Sequence, residues 1–372
     1  MKLLTVNTGS SSIRLTVLML EAGVPRVVAS HHATHAGATQ VEVLREFLQH
    51  TSLHAIDAVA HRVVHGGTRL VRPCLIDAEV EAEITRLAPL APLHNPLALG
   101  WLGACREVLG DIIPQVAVFD TAFYAALPDV AATYALPHAL CASHGLRRYG
   151  FHGLAHQAMW RRWCALRPER KDGERVISLQ LGAGCSVTAL RDGRPVETSM
   201  GFSPLEGLVM ATRAGDVDPG LLLFLQRTES LTPEALEKML NEDSGLLGIS
   251  GISADMRTLL ASREPAARLA VDVYCHRARK YLGAYLAVLG GADAILFGGG
   301  VGEHAAEVRA RILAGMEWAG IVVDDAANSV AVGAEARIST HDSSVALWVT
   351  PVDEAVILAE EAATVLAADG NA

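Results

Sequence analysis

The six cysteines (Cys74, Cys105, Cys141, Cys164, Cys185 and Cys275) are scattered and form no CxxC pair. That spacing fits reduced thiols better than a disulfide framework or a zinc site. A basic excess is lacking as well. The formal net charge of -10 argues against nucleic acid as the main partner, because a phosphate backbone is held by a basic field. No GxxxxGK[ST] occurs, so a P-loop is out, and GxSxG and HExxH are also missing. The amino terminus enters a strand pattern at once and has no signal-peptide layout, so the expected location is the cytoplasm. One stretch has the length of a membrane span, "YLGAYLAVLGGADAILFGGG" at 281–300. Gly290, Gly291 and Asp293 interrupt it, and it reads as a buried helix end, a glycine turn and a core strand entering a glycine loop. No membrane partner is expected.

What is present is apolar mass and glycine punctuation. The chain has 372 residues, of which 51% are hydrophobic, enough for two cores. It opens with strand patterns broken by "NTGSSS" (7–12), a turn whose outward N–H and hydroxyl donors suit an anion, or an ordinary polar turn. Helix patterns follow at 41–50, 78–88 and 97–109, with strands at 55–64 and 114–120. Near residue 175 the layout restarts as strand, "GAGC" turn, strand, "RDGR" turn and strand. Superposing Gly9 on Gly184 aligns Ser11 with Ser186, a short similarity that suggests a duplicated unit. Thr232 and Pro233 predict a helix start, another helix fills much of 264–289, and strand 345–350 precedes a final helix from about 353. Two α/β halves sharing a cleft suit a nucleotide clamped between them. A third glycine loop, "FGGGVGEHA" (297–305), is a poor dinucleotide signature but a plausible floor for a flat base or ribose.

Polar clusters interrupt the apolar runs. Arg62 and His65 end a strand in "HRVVHGG"; His94 sits in the Pro-bracketed "PLHNP". Asp120 stands at the carboxyl end of a strand, where open α/β sheets bind ligands. His152 lies between an aromatic and a glycine in "RRYGFHG", and Arg213 belongs to the long loop 200–220. Singly, each has an ordinary account as a hydrogen-bonded histidine, a capping arginine or a turn aspartate. Together they offer cations and neutral donors without an activated serine or cysteine. Phosphoryl transfer needs such groups more than it needs a base, and a carboxylate nucleophile needs no base at all.

The ordered motifs "NTGSSS", "HRVVHGG", "APLHNP", "FDTAF", "RYGFHG", "TSMGFSPLEGL", "TRAGDVDP", "GISGIS", "GGGVGE" and a late Glu resemble those of the acetate kinase (acetokinase) family across nearly the whole chain. The resemblance implies reversible transfer of the ATP γ-phosphoryl group to acetate, giving acetyl phosphate and ADP in line, with Mg²⁺. It implies an α/β, duplicated ribonuclease H-like fold of the actin, Hsp70 and sugar kinase type, with a cleft between two domains, and a homodimer. The expected division is 1–150, with a C-terminal helix from about 355 packing back on it, and a nucleotide-binding domain at 151–354.

By the same resemblance, Asn7, Ser10 and Ser12 form the first phosphate loop, with Arg14 where the family has lysine, and Gly182 and Gly184 belong to the second. Arg62 and Arg213 hold acetate and developing charge, His94 and His152 face phosphoryl oxygens, and Asp120 orients the arginine and metal shell. Asn7 and Glu354 attend the magnesium. Asp255, Met256, Arg257, Gly299, Gly300, Val301 and Gly302 make the adenosine site, and Val64, Leu93, Phe151 and Pro204 the pocket for the methyl group. Val64, two positions after Arg62, is expected on the arginine's face of the strand. Gln180 and Ala183 depart from the family's His-Leu-Gly-Asn-Gly, which bears on phosphate-loop affinity. Kinases of propionate or butyrate, a pyrophosphate-using relative and a non-enzymatic nucleotide clamp of the Hsp70 or actin kind are the alternatives.

Overall fold

The computed structural model describes residues 1–9, 12–21, 23–34, 38–51, 55–169 and 172–369. Apolar residues on both faces of β1 (Lys2–Thr8), β4 (Ala58–Val63) and β6 (Gln115–Phe119) make these strands the centre of a first sheet. Such two-sided burial is the mark of parallel strands covered by helices. β2 (Ser12–Glu21) and β3 (Val24–Thr34) add antiparallel hairpins on one side, and the two-residue β5 (Cys74–Leu75) closes the other. The order is β3-β2-β1-β4-β6-β5, with β1, β4 and β6 parallel. On one face Leu44, Phe47, Trp101 and Cys105 pack from helices Gln40–Thr51 and Asn95–Leu109 onto Leu4, Val6, Leu15 and Val17. Helix Glu354–Asp369 packs against β1, β4 and β6, with Ala355 and Ala359 against Leu18 of β2.

The second sheet repeats this plan strand for strand. β7 (Arg175–Leu181), β8 (Cys185–Arg191), β9 (Arg194–Thr198), β10 (Ala294–Gly298), β11 (Ala336–Arg337) and β12 (Ala346–Val349) stand in the order β11-β12-β10-β7-β8-β9. Read from the other edge, each strand matches its counterpart in the first sheet, including which neighbours run parallel. Duplication is therefore visible in topology, but the expected superposition of the turns is displaced. Thr8 pairs with Ile13 and Leu181 with Cys185, so Gly9 is the counterpart of Gly182 and not of Gly184. The second turn is one residue shorter, and sequence similarity aligned its exit with the entrance of the first.

Two compact units result. One comprises residues 1–125, 152–158 and 353–372; the other comprises 126–151 and 159–352. Local signals explain most elements. Thr232 accepts a hydrogen bond from Ala235 N and Pro233 opens the helix Pro233–Glu242, as a Thr-Pro start should. The 281–300 stretch divides at Gly290, whose φ of +73° caps helix Pro265–Leu289 in the left-handed region. Among the described residues no helix is long and apolar enough to cross a membrane. The expected glycine loop at 297–305 is itself helical. Gly298 is the N-cap and helix Gly299–His304 follows the strand without a linker.

Candidate active site

In the first unit, an ion pair is built where β1, β4 and β6 end. Arg62 is the penultimate residue of β4, and Asp120 directly follows β6. Both Nε and Nη2 of Arg62 donate to Asp120 Oδ2, at 3.1 and 2.5 Å, while Oδ1 accepts from Leu154 N at 3.4 Å. Nη1 of Arg62 donates to Thr8 O at 3.0 Å and to Asn7 Oδ1 at 3.4 Å. Asn7 in turn donates through Nδ2 to Glu354 Oε2 at 2.6 Å. Burial works against the charge on Arg62, yet the Asp120 carboxylate, aided by Glu354, outweighs it and holds the guanidinium above its ordinary pKa. Burial also drives the Asp120 carboxyl above its ordinary value, and Arg62 is the cation that pulls it back. Four of the expected residues, Asn7, Arg62, Asp120 and Glu354, thus form one hydrogen-bonded chain.

His152 stands at the entrance of helix Gly153–Leu166 with φ +57°, a left-handed conformation that non-glycine residues rarely hold. Gly153 explains part of the constraint: a Cβ there would lie 2.0 Å from Asp120 O. The helix start is therefore pressed against the aspartate, and His152 is carried with it. His94 is the N-cap residue of Asn95–Leu109. Asn95, which sequence reasoning passed over, is buried, accepts from His65 N at 3.2 Å and donates to His65 O at 3.1 Å. Thr121 accepts from Gly66 N at 2.9 Å. These two side chains fix the segment that follows Arg62.

Two apolar expectations shift. β4 stops at Val63, so Val64 is buried just beyond the strand and the alternation argument does not reach it. Leu93 is 48% exposed, in the turn before helix Asn95–Leu109. Ser12 and Arg14 lie in β2, with Arg14 exposed opposite Asn7. Ser10 lies outside the described residues.

In the second unit, Gly182 N donates to Gly184 O at 3.0 Å and closes the tight β7–β8 turn. Ala211 N donates to Ala183 O at 3.0 Å, which ties that turn to the loop carrying Arg213. The loop from 199 to 218 has no regular structure but is firmly held. Gly207 N donates to Asp216 Oδ1 at 2.8 Å, and Tyr281 Oη donates to Asp216 Oδ2 at 2.8 Å. Arg148 donates to Glu206 Oε1 at 2.6 Å, and Tyr134 donates to the other oxygen of that carboxylate. A Cβ on Gly201 would meet Glu206 Oε2 at 1.7 Å, so a side chain there would have to displace the carboxylate that Arg148 and Tyr134 hold. Arg213 donates through Nη1 to Pro204 O at 2.6 Å and makes no ion pair among the described residues; burial pulls its pKa below the ordinary value. A half-buried cation held on a neutral carbonyl keeps donors for an incoming anion. Phe151 is buried.

Asp255 caps helix Met256–Ala261 by accepting from Arg257 N at 2.8 Å and pairs with the exposed Arg257 side chain at 2.6 Å. Met256 opens that helix and is buried. Gly299 has φ +76°, and a Cβ on it would lie 2.6 Å from Leu181 O and 3.0 Å from Gln180 Cδ. Gly302 is buried, while nothing stands within 4 Å of a Cβ on Gly300. Gln180 thus abuts the glycine segment directly. Its Oε1 is buried without a hydrogen-bond partner among the described residues.

Two sheets of identical order, each with a turn-forming hairpin beside three parallel strands, are the duplicated ribonuclease H-like fold shared by actin, Hsp70 and the sugar kinases. Within that fold the comparisons are specific. The Acetokinase family profile matches residues 19–360, and the chain belongs to that family. It is accordingly a phosphotransferase with a carboxyl group as acceptor. The chain is 48% identical over 314 residues to an acetate kinase of Solibacter usitatus, covering 83% of this chain and 76% of the relative. The crystal structure of Porphyromonas gingivalis acetate kinase superposes with a TM-score of 0.88 at 36% identity, covering 98% of this chain and 99% of that one. A propionate kinase from Francisella tularensis follows with a TM-score of 0.86 at 33% identity, over 97% and 98% of the two chains.

Proposed function

We propose that the chain transfers the γ-phosphoryl group of ATP to acetate, giving acetyl phosphate and ADP, by direct in-line displacement. The observation that carries this is the Asp120–Arg62–Asn7–Glu354 chain at the ends of β1, β4 and β6. It offers a fixed guanidinium to a carboxylate and oxygen donors to a hard cation. Arg62 takes the acetate carboxylate and the charge that develops on the phosphoryl oxygens, oriented by Asp120. Arg213, half-buried and without a carboxylate partner among the described residues, is the second cation that serves this charge. His94 and His152 donate to phosphoryl oxygens. Acetate is itself the nucleophile, so no side chain needs to remove a proton and none is phosphorylated. A chiral γ-phosphate should emerge inverted; net retention would mean a covalent intermediate.

The residues present fit Mg²⁺ in the sparing manner usual for that ion. Glu354 offers one carboxylate and Asn7 one carbonyl, and substrate phosphates commonly complete such a shell. Among the described residues there is no cluster of three or more His, Cys, Asp or Glu that would hold a metal unaided. When bound, the ion neutralises phosphate charge; this chain's task is to hold Glu354 and Asn7 together. Ser10, Ser12, Arg14 and the Gly182–Gly184 turn take the phosphates. Asp255, Arg257 and Gly299–Gly302 take the adenosine. The helix Pro219–Thr228 has no buried residue and exposes Leu221, Leu223 and Phe224, which supports a homodimer formed across that face. Sedimentation of a monomer at micromolar concentration would remove that part of the reading.

Incubation with ATP, Mg²⁺, acetate and hydroxylamine should yield acetohydroxamate from the trapped acyl phosphate. A non-enzymatic nucleotide clamp would yield none, and pyrophosphate in place of ATP tests the donor. Substrate length is read at Val64. Acetate is expected over propionate by about 10-fold in kcat/KM, since one methylene in an apolar pocket is worth about 1–3 kcal/mol. Val64→Ala should raise propionate efficiency and lower that of acetate. An unchanged ratio would place Val64 in the core alone.

A further inference from the structure

Arg309 is the one fully buried arginine among the described residues, and it has no carboxylate partner. Its Nη1 donates to Gly302 O at 2.8 Å and Glu303 O at 3.2 Å. Its Nη2 donates to Asn328 O at 2.9 Å and Ala331 O at 2.7 Å, and Nε donates to Asn328 Oδ1 at 2.8 Å. Every partner is a neutral oxygen. Four are main-chain carbonyls, from the end of helix Gly299–His304 and from the end of helix Asp325–Val330. Carbonyls at helix ends lack intrahelical donors and carry partial negative charge, so a cation there satisfies both demands. Burying an unpaired charge is otherwise strongly unfavourable, and the expense must secure something.

What it secures is the glycine segment. Gly299–Gly302 has few side chains with which to pack, so its position has to be imposed from outside. Glu303 holds its start: Oε1 accepts from Gly299 N at 3.0 Å and from Val352 N at 3.1 Å. Arg309 holds its end. Asn328 completes the clamp by donating through Nδ2 to Ala306 O at 2.9 Å.

We propose that Arg309, with Glu303, is a positioning residue for the nucleotide: it fixes the Gly299–Gly302 backbone against which the adenosine lies. This rests on the assignment of that segment to ATP. The guanidinium itself touches no substrate, being enclosed behind the helix. Loss of the clamp should therefore weaken nucleotide binding and leave the carboxylate side intact.

Arg309→Lys keeps the charge but cannot reach four carbonyls and Asn328 at once. It is expected to raise KM for ATP about 10-fold, with kcat and KM for acetate within about 3-fold of the parent. Asn328→Ala, which removes the acceptor of Nε and the donor to Ala306 O but leaves Arg309 on its four carbonyls, should raise KM for ATP about 3-fold and covers the case in which Arg309→Lys does not fold. Binding of a non-hydrolysable ATP analogue, followed by calorimetry, should weaken in parallel. If the parent protein does not bind the analogue, the nucleotide assignment fails. If the parent binds it and a folded variant binds equally well, the positioning role fails. A uniform loss of kcat and of both KM values, tracking lowered thermal stability, would make Arg309 purely structural and overturn the proposal.

Discussion

Arg62→Ala should lower kcat by about 10²–10³ while the protein still folds. Loss of a preorganised donor to developing charge is typically worth about 3–4 kcal/mol. The two halves of the pair cost stability by different routes. Without Arg62, the Asp120 carboxyl, already pushed up by burial, either stays charged and unpaired or takes up a proton, and uptake opposes folding by about 1.4 kcal/mol per pH unit above the free carboxyl value. Asp120→Asn leaves a guanidinium that cannot shed its proton, on a side chain only 10% exposed and still held by Thr8 O and Asn7 Oδ1. Removing one partner of a buried pair costs about 3–5 kcal/mol, so urea midpoints at pH 7 should fall in both variants. The two part in acid: relative to the parent, lowering the pH should recover stability in Arg62→Ala, where protonated Asp120 is the form that folds, and not in Asp120→Asn. Parental turnover in folded Arg62→Ala would remove the arginine from the chemistry. Equal pH responses in the two variants would refute this account.

Mild acid should destabilise the first unit well above the range in which carboxylates titrate. His61, His65 and His156 are fully buried there, and burial lowers their pKa values to about 4, about 4 and about 3. The hydrogen bond from His61 to Gln115 at 2.6 Å only partly offsets this. Unfolded histidine titrates near 6.5, so below that pH the unfolded chain binds protons that the native chain refuses. The stabilisation is complete above pH 6.5 and is lost as pH falls toward 4. Each histidine contributes about 1.4 kcal/mol per pH unit in that window, hence about 2 kcal/mol at pH 5 and on the order of 6 kcal/mol for three. Asp120, raised by burial, acts with the opposite sign and trims the total. Chemical denaturation at pH 7 and pH 5 reads the difference, and His61→Gln should flatten the slope by one histidine's share. A stability unchanged between those two values would mean the histidines are protonated in the native state.

Much of this was legible in advance, and the reasons are local. β4, β6 and β10 announce themselves as short apolar runs, and the Thr232-Pro233 start and Gly290 stop carry their own chemistry. Arg62, Asp120, Asn7 and Glu354 were legible as residue types in motifs, and the structure joins them in one chain. The residues that were missed act on backbone distant in sequence. Asn95 serves His65, and Arg309 serves residues 302 through 331; no periodicity encodes such a partner. Inward or outward orientation at element ends was equally hidden. Met256 and Leu93 sit one residue inside a helix and in a turn, where neither a period of 3.6 nor of 2 applies. The displaced match of Gly9 with Gly184 came from aligning letters where strand register decides.

The helix Glu354–Asp369 completes a sheet whose strands all lie before residue 120. During synthesis, the face of β1, β4 and β6 that this helix covers must wait for it while more than two hundred intervening residues emerge. At ribosomal rates that is a delay of roughly 10–50 s. Throughout it, Asn7 has no Glu354 to bind. A chain cut short before residue 354 would retain most of both sheets yet present an uncovered apolar face and an incomplete centre. Closing the apolar face of the first sheet and assembling its polar centre therefore depend on one and the same late segment.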